Sequence, residues 1–442
     1  MALKPQDCHA SSCQRTDHLS CMQMHAKGVD ADKELITPSA QSRRLKKPKT
    51  RAILGSIRLT FSSVFLFWSL IAMAKLPARY DHVGSFLRPA YLLEARADKA
   101  SGKITPEQLR AVEDKAITEI VQFQQSVGLK SITDGEFRRT YFHLDFLEQL
   151  GGVKVGEVTL TVGADGVEHL APPAIHVVDK VTHAKQIQLA DFKYLQSQVS
   201  AGHTPKVTIP SPTMLHFRGG RAGISRTAYP ELEPAFYDDV AKAYGDELRS
   251  LSAAGCNYVQ MDDTNLAYLC DDKMRAAALG RGDDPNELAH RYANFINLVV
   301  AQKPAGMTMA MHLCRGNFKS THAAAGNYEP VAEALLSEMN IDAYFLEYDD
   351  DRSGDFRPLR FLPKGKTMVL GLVTTKFGQM ESKDTLKRRI DEAAKYVPME
   401  QLALSPQCGF SSTVHGNNIA VEDQKNKLRL VIETANEVWG ES

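Results

Sequence analysis

An excess of charge of either sign is absent from this chain. Its 53 basic and 53 acidic side chains leave a formal net charge of zero, so no long-range field draws it to nucleic acid. Cysteine is sparse: seven residues in 442, unevenly placed, cannot form a disulfide framework. Cys256, Cys270, Cys314 and Cys408 fall in the globular part, which points to a reducing, cytoplasmic compartment. A long apolar run is also missing. The stretch from Leu59 to Ala74 follows basic residues, as in a signal peptide or anchor, but is shorter than the roughly 20 residues that span a bilayer. What is present is apolar content, 43%, enough to bury a large core.

The first seventy residues differ from the rest. The first fifty are polar, with Cys8, Cys13 and Cys21 among scattered histidines and ending in the basic cluster Arg43-Arg44-Leu45-Lys46-Lys47-Pro48-Lys49, and the apolar stretch from Leu59 follows. The cysteine spacing matches no closed four-ligand site. Residues 1–73 therefore read as a disordered or leader extension, with a membrane anchor as the alternative, and residues 74–442 as the folded part.

From Tyr80 strand and helix patterns alternate. Asp81 to Phe86 reads as a strand entering a glycine turn. Thr105-Pro106-Glu107-Gln108 supplies an N-cap, a proline at the first helical position and a capping-box glutamine, and Gly128 a C-terminal stop. Ser131 to Glu136 is the second strand. Gly151 to Gly202 interrupts the alternation with a hairpin-like patch (Val158 to Val162, then the turn Ala164-Asp165-Gly166) and a polar helix, read as an insertion between strands 2 and 3. Strands then recur at Lys206–Pro212 and Tyr258–Asp262, at the segments carrying His312 and Glu347, at Thr367–Thr375, and before Cys408. Helices are expected over Phe236–Ala254, Pro285–Ala301, Pro330–Met339, Asp384–Tyr396 and Val421–Trp439. Eight such units indicate a TIM (β/α)8 barrel, whose active sites lie at the C-terminal ends of the strands. Ser85, Glu136, Asp262, His312, Glu347 and Cys408 all fall at such ends.

The densest chemistry is Met309-Ala310-Met311-His312-Leu313-Cys314-Arg315-Gly316-Asn317. Residues two apart on a strand share a face, so imidazole and thiolate converge on one soft metal ion. Glu347 and Cys408, in similar settings, complete a set suited to zinc. A closed structural zinc is the alternative, although it would need neither the acids nor the glycine turn at neighbouring strand ends.

The motifs Val83-Gly84-Ser85-Phe86, Asp134-Gly135-Glu136-Phe137, Gln260-Met261-Asp262-Asp263, His312-Leu313-Cys314-Arg315-Gly316-Asn317, Glu347 and Gln407-Cys408-Gly409-Phe410 resemble the catalytic domain of cobalamin-independent methionine synthase. The resemblance runs from about Ala78 to the C-terminus and is greatest to the short members that lack an additional N-terminal barrel. It implies a zinc-dependent methyltransferase that forms methionine from homocysteine and a methyl donor, folate or other. The metal ligands would be His312, Cys314, Glu347 and Cys408. Gly84 and Ser85 would hold the substrate carboxylate, and Glu136 and Asp262 its ammonium. The same zinc-thiolate chemistry could serve another donor (methylcobalamin, a sulfonium, an epoxide) or another thiol, and a non-catalytic zinc-stabilised binding protein is the contrasting class.

The sequence departs from the long enzymes in two places. Their folate-associated tryptophan corresponds to His216. The histidine thought to protonate the departing folate corresponds to Thr374-Thr375-Lys376, where Lys376 could act as catalytic acid if burial lowered its pKa. An activated donor is therefore expected to outperform methyltetrahydrofolate. Among weaker signals, the loop Arg218 to Gly223 reads as a basic turn and Asp349-Asp350-Asp351 as a solvated loop. Cys256 and Cys270 read as buried small residues, and His82 and His415 lie near enough to strand ends to touch a substrate.

Overall fold

The computed structural model describes residues 76–440, apart from 157–158, 163–167, 172 and 318. The leader, its apolar run and the turn at Ala164-Asp165-Gly166 lie outside the described residues. Among those described, no helix is long and apolar enough to cross a membrane.

The first long helix forms where the capping signals place it, over Pro106–Ser126. Thr105 N–H donates to Gln108 Oε1 (2.8 Å) and Gln108 N–H to Thr105 Oγ1 (3.3 Å), while Ala116, Ile117, Ile120 and Val121 form its buried stripe. Strand β1 (Ser131–Ile132) follows. Between it and β6 (Thr204–Pro205), its parallel partner, the chain makes two antiparallel pairs: β2 (Gly151–Val155) with β5 (Ile175–Thr182), and β3 (Thr159–Val162) with β4 (Glu168–Ala171). Helix Leu189–Gln198 completes this stretch.

Six parallel strands then pair in chain order: β7 (Val207–Pro210), β8 (Tyr258–Asp263), β9 (Thr308–Leu313), β10 (Ala343–Glu347), β11 (Thr367–Val373) and β12 (Leu402–Pro406). They are buried almost throughout, as parallel strands covered on both faces are. Helices Ala235–Ala253, Pro285–Val300, Lys383–Ala393 and Val421–Trp439 occupy their expected places. The helix expected over Pro330–Met339 is instead a 3-10 turn (Glu329–Val331) and a π-helix (Glu333–Glu338).

The outer edge of β12 is covered by the start of the fold. Asp81 N–H donates to Leu404 O (3.0 Å) and Leu404 N–H to Arg79 O (2.9 Å). On its other side this segment meets the chain after β1, through Thr133 Oγ1 to Gly84 O (2.6 Å) and Phe86 N–H to Gly135 O (3.2 Å). Both segments are shorter as strands than expected. Gly84 (φ 139°), Gly135 (φ 70°) and Glu136 (φ 60°) leave the extended region and end the pairing early.

Alternation sorts the sheet's two faces. Ala310, Ala343, Phe345, Val369 and Ala403 pack with Val83 and Tyr258 into an inner cluster, while Met309, Met311 and Leu346 join the larger core shared with the helices. In the inner region Lys206 Nζ is wholly buried, donating to His82 O (2.6 Å) and pairing with Asp81 (3.3 Å) between the Phe345 and Tyr258 rings.

Three buried histidines have consequences for acid stability. Burial, with Lys206 beside it, lowers His82 to about 4; burial and Arg218 lower His143 to about 3; burial and neighbouring arginines lower His216 to about 4. Each folded-state value lies below the unfolded one, so their contribution is complete above pH 6.5 and is lost as pH falls toward 4. Stability should drop over that window by about 1.4 kcal/mol per histidine for each tenfold rise in proton concentration. Urea unfolding at a series of pH values checks this; a flat profile down to about pH 4.5 would refute it.

Candidate metal centre and adjoining cavity

The ligand candidates sit at or just beyond strand ends: His312 on β9, Cys314 one residue past it, Glu347 as the last residue of β10, and Cys408 two residues past β12. Inward-facing alternation on β9 and β10 turns His312 and Glu347 toward the same interior as Ala310 and Phe345. All four side chains are buried and their donor atoms lie within 4.8 Å of one another, with the two sulfurs 3.5 Å apart. Donors around a tetrahedral zinc stand roughly 3.3–3.8 Å apart, so a small contraction would close the set on one ion.

The surroundings orient each donor. His312 Nδ1 faces Phe345 O at 3.3 Å, while its buried Nε2 has no hydrogen-bond partner. A backbone carbonyl on one ring nitrogen is how a metal-binding imidazole is fixed with its other lone pair free. Cys314 Sγ accepts from Gly316 N–H (3.3 Å) and Asn317 N–H (3.5 Å), contacts that fix the position of the sulfur. The turn behind this needs glycine: at φ 82°, a Cβ on Gly316 would fall 2.5 Å from Tyr268 Oη. Glu347 Oε1 accepts from Arg315 N–H (2.9 Å) and Oε2 from Arg352 Nη2 (2.7 Å).

The electrostatics of this set call for a cation. The adjacent Cys314 sulfur, with burial, pushes the Cys408 thiol well above its ordinary value, because two thiolates this close repel. Burial disfavours a charged His312, yet Cys408, Asp262 and Glu347 outweigh it and raise the imidazole to about 9. Burial likewise opposes ionised Glu347, but Lys376, Arg352 and His312 hold it at about 2. A divalent ion would supply the missing positive charge, and a soft N/S-rich set suits a borderline-soft ion such as zinc.

A narrow cavity opens on His312, Cys314 and Cys408 and is walled by Ser85, Glu136, Phe142, Asp262 and Ser412. Glu136 Oε1 accepts from Thr208 Oγ1 at 3.0 Å, with Arg139 3.8 Å away. Gln260 Nε2 donates to Asp262 Oδ1 (2.6 Å). Burial raises Glu136, and burial together with Glu136 raises Asp262 to about 7. Two buried carboxyls that share a cavity and resist joint ionisation suit a cationic guest. Gly84 lies behind the wall, and a Cβ there would meet Thr208 Cγ2 at 2.8 Å and Glu136 Oε1 at 3.1 Å. Ser85 Oγ accepts from Ser411 N–H (3.2 Å).

Lys376 stands apart from the cavity lining. Its buried Nζ has no hydrogen-bond partner and acts electrostatically on Glu347 and Asp349. His82 is buried under the cavity wall, with Nε2 2.9 Å from Ser131 O and its ring against Phe86, and it does not line the cavity; nor does the exposed His415. His216 is buried with Nδ1 2.8 Å from Tyr292 Oη. The basic turn spends Arg221 on the carbonyls of Ile224 and Pro230, and the thiols of Cys256 and Cys270 are pushed up to about 12 by burial. The acidic run is not simply a solvated loop, because Asp349 is buried and bound to Arg352 Nη2 at 2.7 Å. Arg88, which sequence reasoning missed, donates to Glu136 O (2.7 Å), Arg139 O (2.8 Å), Ser411 Oγ (2.7 Å) and Thr413 O (3.1 Å). It ties the Glu136 loop to the Cys408 loop.

The family model of the cobalamin-independent synthase catalytic domain matches residues 80–436. The chain belongs to that family. It is 46% identical over 370 residues to the uncharacterized protein YxjH of Bacillus subtilis (strain 168), covering 83% of this chain and 96% of that one. Among synthases, the methionine synthase of Sulfurisphaera tokodaii is 23% identical, with 78% and 93% covered. The crystal structure of a candidate vitamin-B12 independent methionine synthase from Listeria monocytogenes superposes with a TM-score of 0.63 at 39% identity, covering 82% and 98%. A B12-independent methionine synthase from Shewanella sp. W3-18-1, solved with selenomethionine, shares the fold with a TM-score of 0.60 at 20% identity, covering 82% and 97%. The cobalamin-independent synthase family places this α/β chain among methionine-synthase-like methyltransferases.

Proposed function

We propose that residues 74–442 form a zinc-dependent methyltransferase that moves a methyl group to the thiol of homocysteine and releases methionine. We also read the fold as a closed (β/α)8 barrel with the 151–202 stretch inserted between its second and third units. The bonds from Asp81 and Arg79 to Leu404, and from Thr133 and Gly135 to the 84–86 turn, support closure.

The observation that carries the functional reading is one cavity that joins Glu136 and Asp262 to His312, Cys314 and Cys408. An amino-acid thiol is complementary to both ends. Its ammonium would sit between Glu136 and Asp262, and its carboxylate at Ser85 and the backbone turn of Gly84. Its sulfur would then reach the donor cluster. The two acids would repel a sulfonate-bearing thiol.

His312, Cys314, Glu347 and Cys408 would hold the zinc ion, whose Lewis acidity would make the substrate sulfur a thiolate at neutral pH. The chain's own groups do the rest. Burial and the two acids fix the amino acid so that its sulfur has one direction of attack. In the transfer the S–CH3 bond forms, the bond from methyl to the donor breaks, and the donor keeps the electron pair. When the leaving atom is an amine nitrogen it must also gain a proton, and we assign that donation to Lys376.

Purified full-length protein should carry about one zinc per chain and convert homocysteine to methionine with at least one member of a panel of methyl donors. Metal analysis and product chromatography measure both. Zinc-loaded protein that forms no methionine with methylcobalamin, a sulfonium or methyltetrahydrofolate would overturn the assignment.

A further inference from the structure

Glu347 ends β10 at a place where the sheet no longer supplies it. The pairing of β10 with β9 stops at Leu346 opposite Leu313, so the Glu347 amide on that side has no strand partner. Tyr328 fills the gap. Its buried hydroxyl accepts from Glu347 N–H at 3.1 Å and lies 3.4 Å from Glu347 O, replacing the missing ladder contact.

The same residue supports the carboxylate. The guanidinium of Arg315 lies 4.3 Å from the centre of the Tyr328 ring, and the Arg315 amide is the group that binds Glu347 Oε1. Arg315 is fully buried, yet Nε, Nη1 and Nη2 have no hydrogen-bond partner. A desolvated guanidinium without such partners is held by the ring face and by nearby negative charge. It also brings fixed positive charge next to a cluster that would hold two thiolates and a carboxylate. Ala323 N–H and Ala324 N–H both donate to Arg315 O, at 2.9 and 3.1 Å, so the segment that follows Cys314 folds back on itself as one unit.

We infer that Tyr328 and Arg315 are positioning residues for Glu347, gripping its backbone and its carboxylate so that it meets the metal in one orientation. The inference rests on the zinc reading above. It makes the β9–β10 connection a device by which the segment bearing His312 and Cys314 sets the geometry of a third ligand.

The test uses the full chain with Tyr328→Phe, which keeps the ring and deletes the hydroxyl, and Arg315→Met, which keeps length and deletes charge. Zinc affinity, measured by competition with a chromogenic chelator, should fall about 10- to 100-fold in each, as when outer-sphere partners of a metal ligand are removed. In excess zinc the KM for homocysteine should return to the wild-type value, because Glu136 and Asp262 are untouched. Wild-type zinc affinity in both variants would overturn the inference. So would a parallel loss of zinc affinity, homocysteine KM and thermal midpoint that excess zinc does not restore, since that pattern marks general loosening. Wild-type protein that takes up no zinc would remove the functional reading and this inference together, whereas wild-type uptake with unaltered variants removes the inference alone.

Discussion

Cys314→Ser and Cys408→Ser should each lose zinc and methyl transfer together, and these are among the largest effects the site predicts. Serine keeps the size and replaces a soft thiolate by a hard hydroxyl that stays protonated at neutral pH. Cys314 is the better supported sulfur, with two backbone N–H donors turned toward it by Gly316, and a hydroxyl there cannot use that support as a thiolate does. Removing Cys408 takes away the sulfur 3.5 Å from it and leaves a three-donor set. Losing a direct ligand should weaken zinc by more than the 10- to 100-fold typical of an outer-sphere partner. Metal analysis after dialysis and single-turnover methionine formation report the two losses. Either variant retaining full zinc and wild-type turnover would remove its cysteine from the donor set.

Lys376→Met should discriminate between donors. Once its methyl group is transferred, the folate departs as an amide anion unless its nitrogen is protonated, whereas methylcobalamin and a sulfonium need no such proton. General-acid help is typically worth about 10²- to 10⁴-fold, so the variant should lose that much turnover with the folate and little with the activated donors. The wild type should already favour the activated donors. His216, expected from the resemblance to replace a folate-associated tryptophan of the long enzymes, has its ring buried against Tyr292 and not offered as a stacking surface. Parallel assays at equal donor concentration decide the matter: faster turnover with a polyglutamylated folate would refute the donor preference, and equal losses with all donors would refute the role of Lys376.

The sequence carried the regular part of the fold well, for identifiable reasons. Helix Val421–Trp439 and strands β8 to β12 show either clear helical spacing or near-continuous apolar runs, and capping residues marked the start at Pro106. The two early strands were overestimated because pattern alone does not register Gly84, Gly135 and the left-handed Glu136 turning the chain out of line. At the site, His312 and Cys314 were legible from their two-residue spacing at the end of one strand. Glu347 and Cys408 needed the topology to bring them close, since 33 residues (347 − 314) and 94 residues separate them from Cys314 in sequence. The supporting residues were illegible. Arg88 belongs to no periodic pattern, Tyr328 reads as an ordinary loop aromatic, and three consecutive aspartates look solvated until Arg352 is seen to draw Asp349 inward.

The pairing of Asp81 with Leu404 bears on how the molecule is made. Those two residues lie 323 positions apart in sequence, and Cys408 follows Leu404 by four. A chain in which these bonds have not yet formed leaves the edge of β12 unpaired, and without the Cys408 loop in place it would offer an ion three of the four candidate ligands, a state open to aggregation and to capture of the wrong metal. Covering of the β12 edge and completion of the candidate donor set thus depend on the same short stretch of chain, so binding of a metal there would be coupled to the docking of a segment distant in sequence.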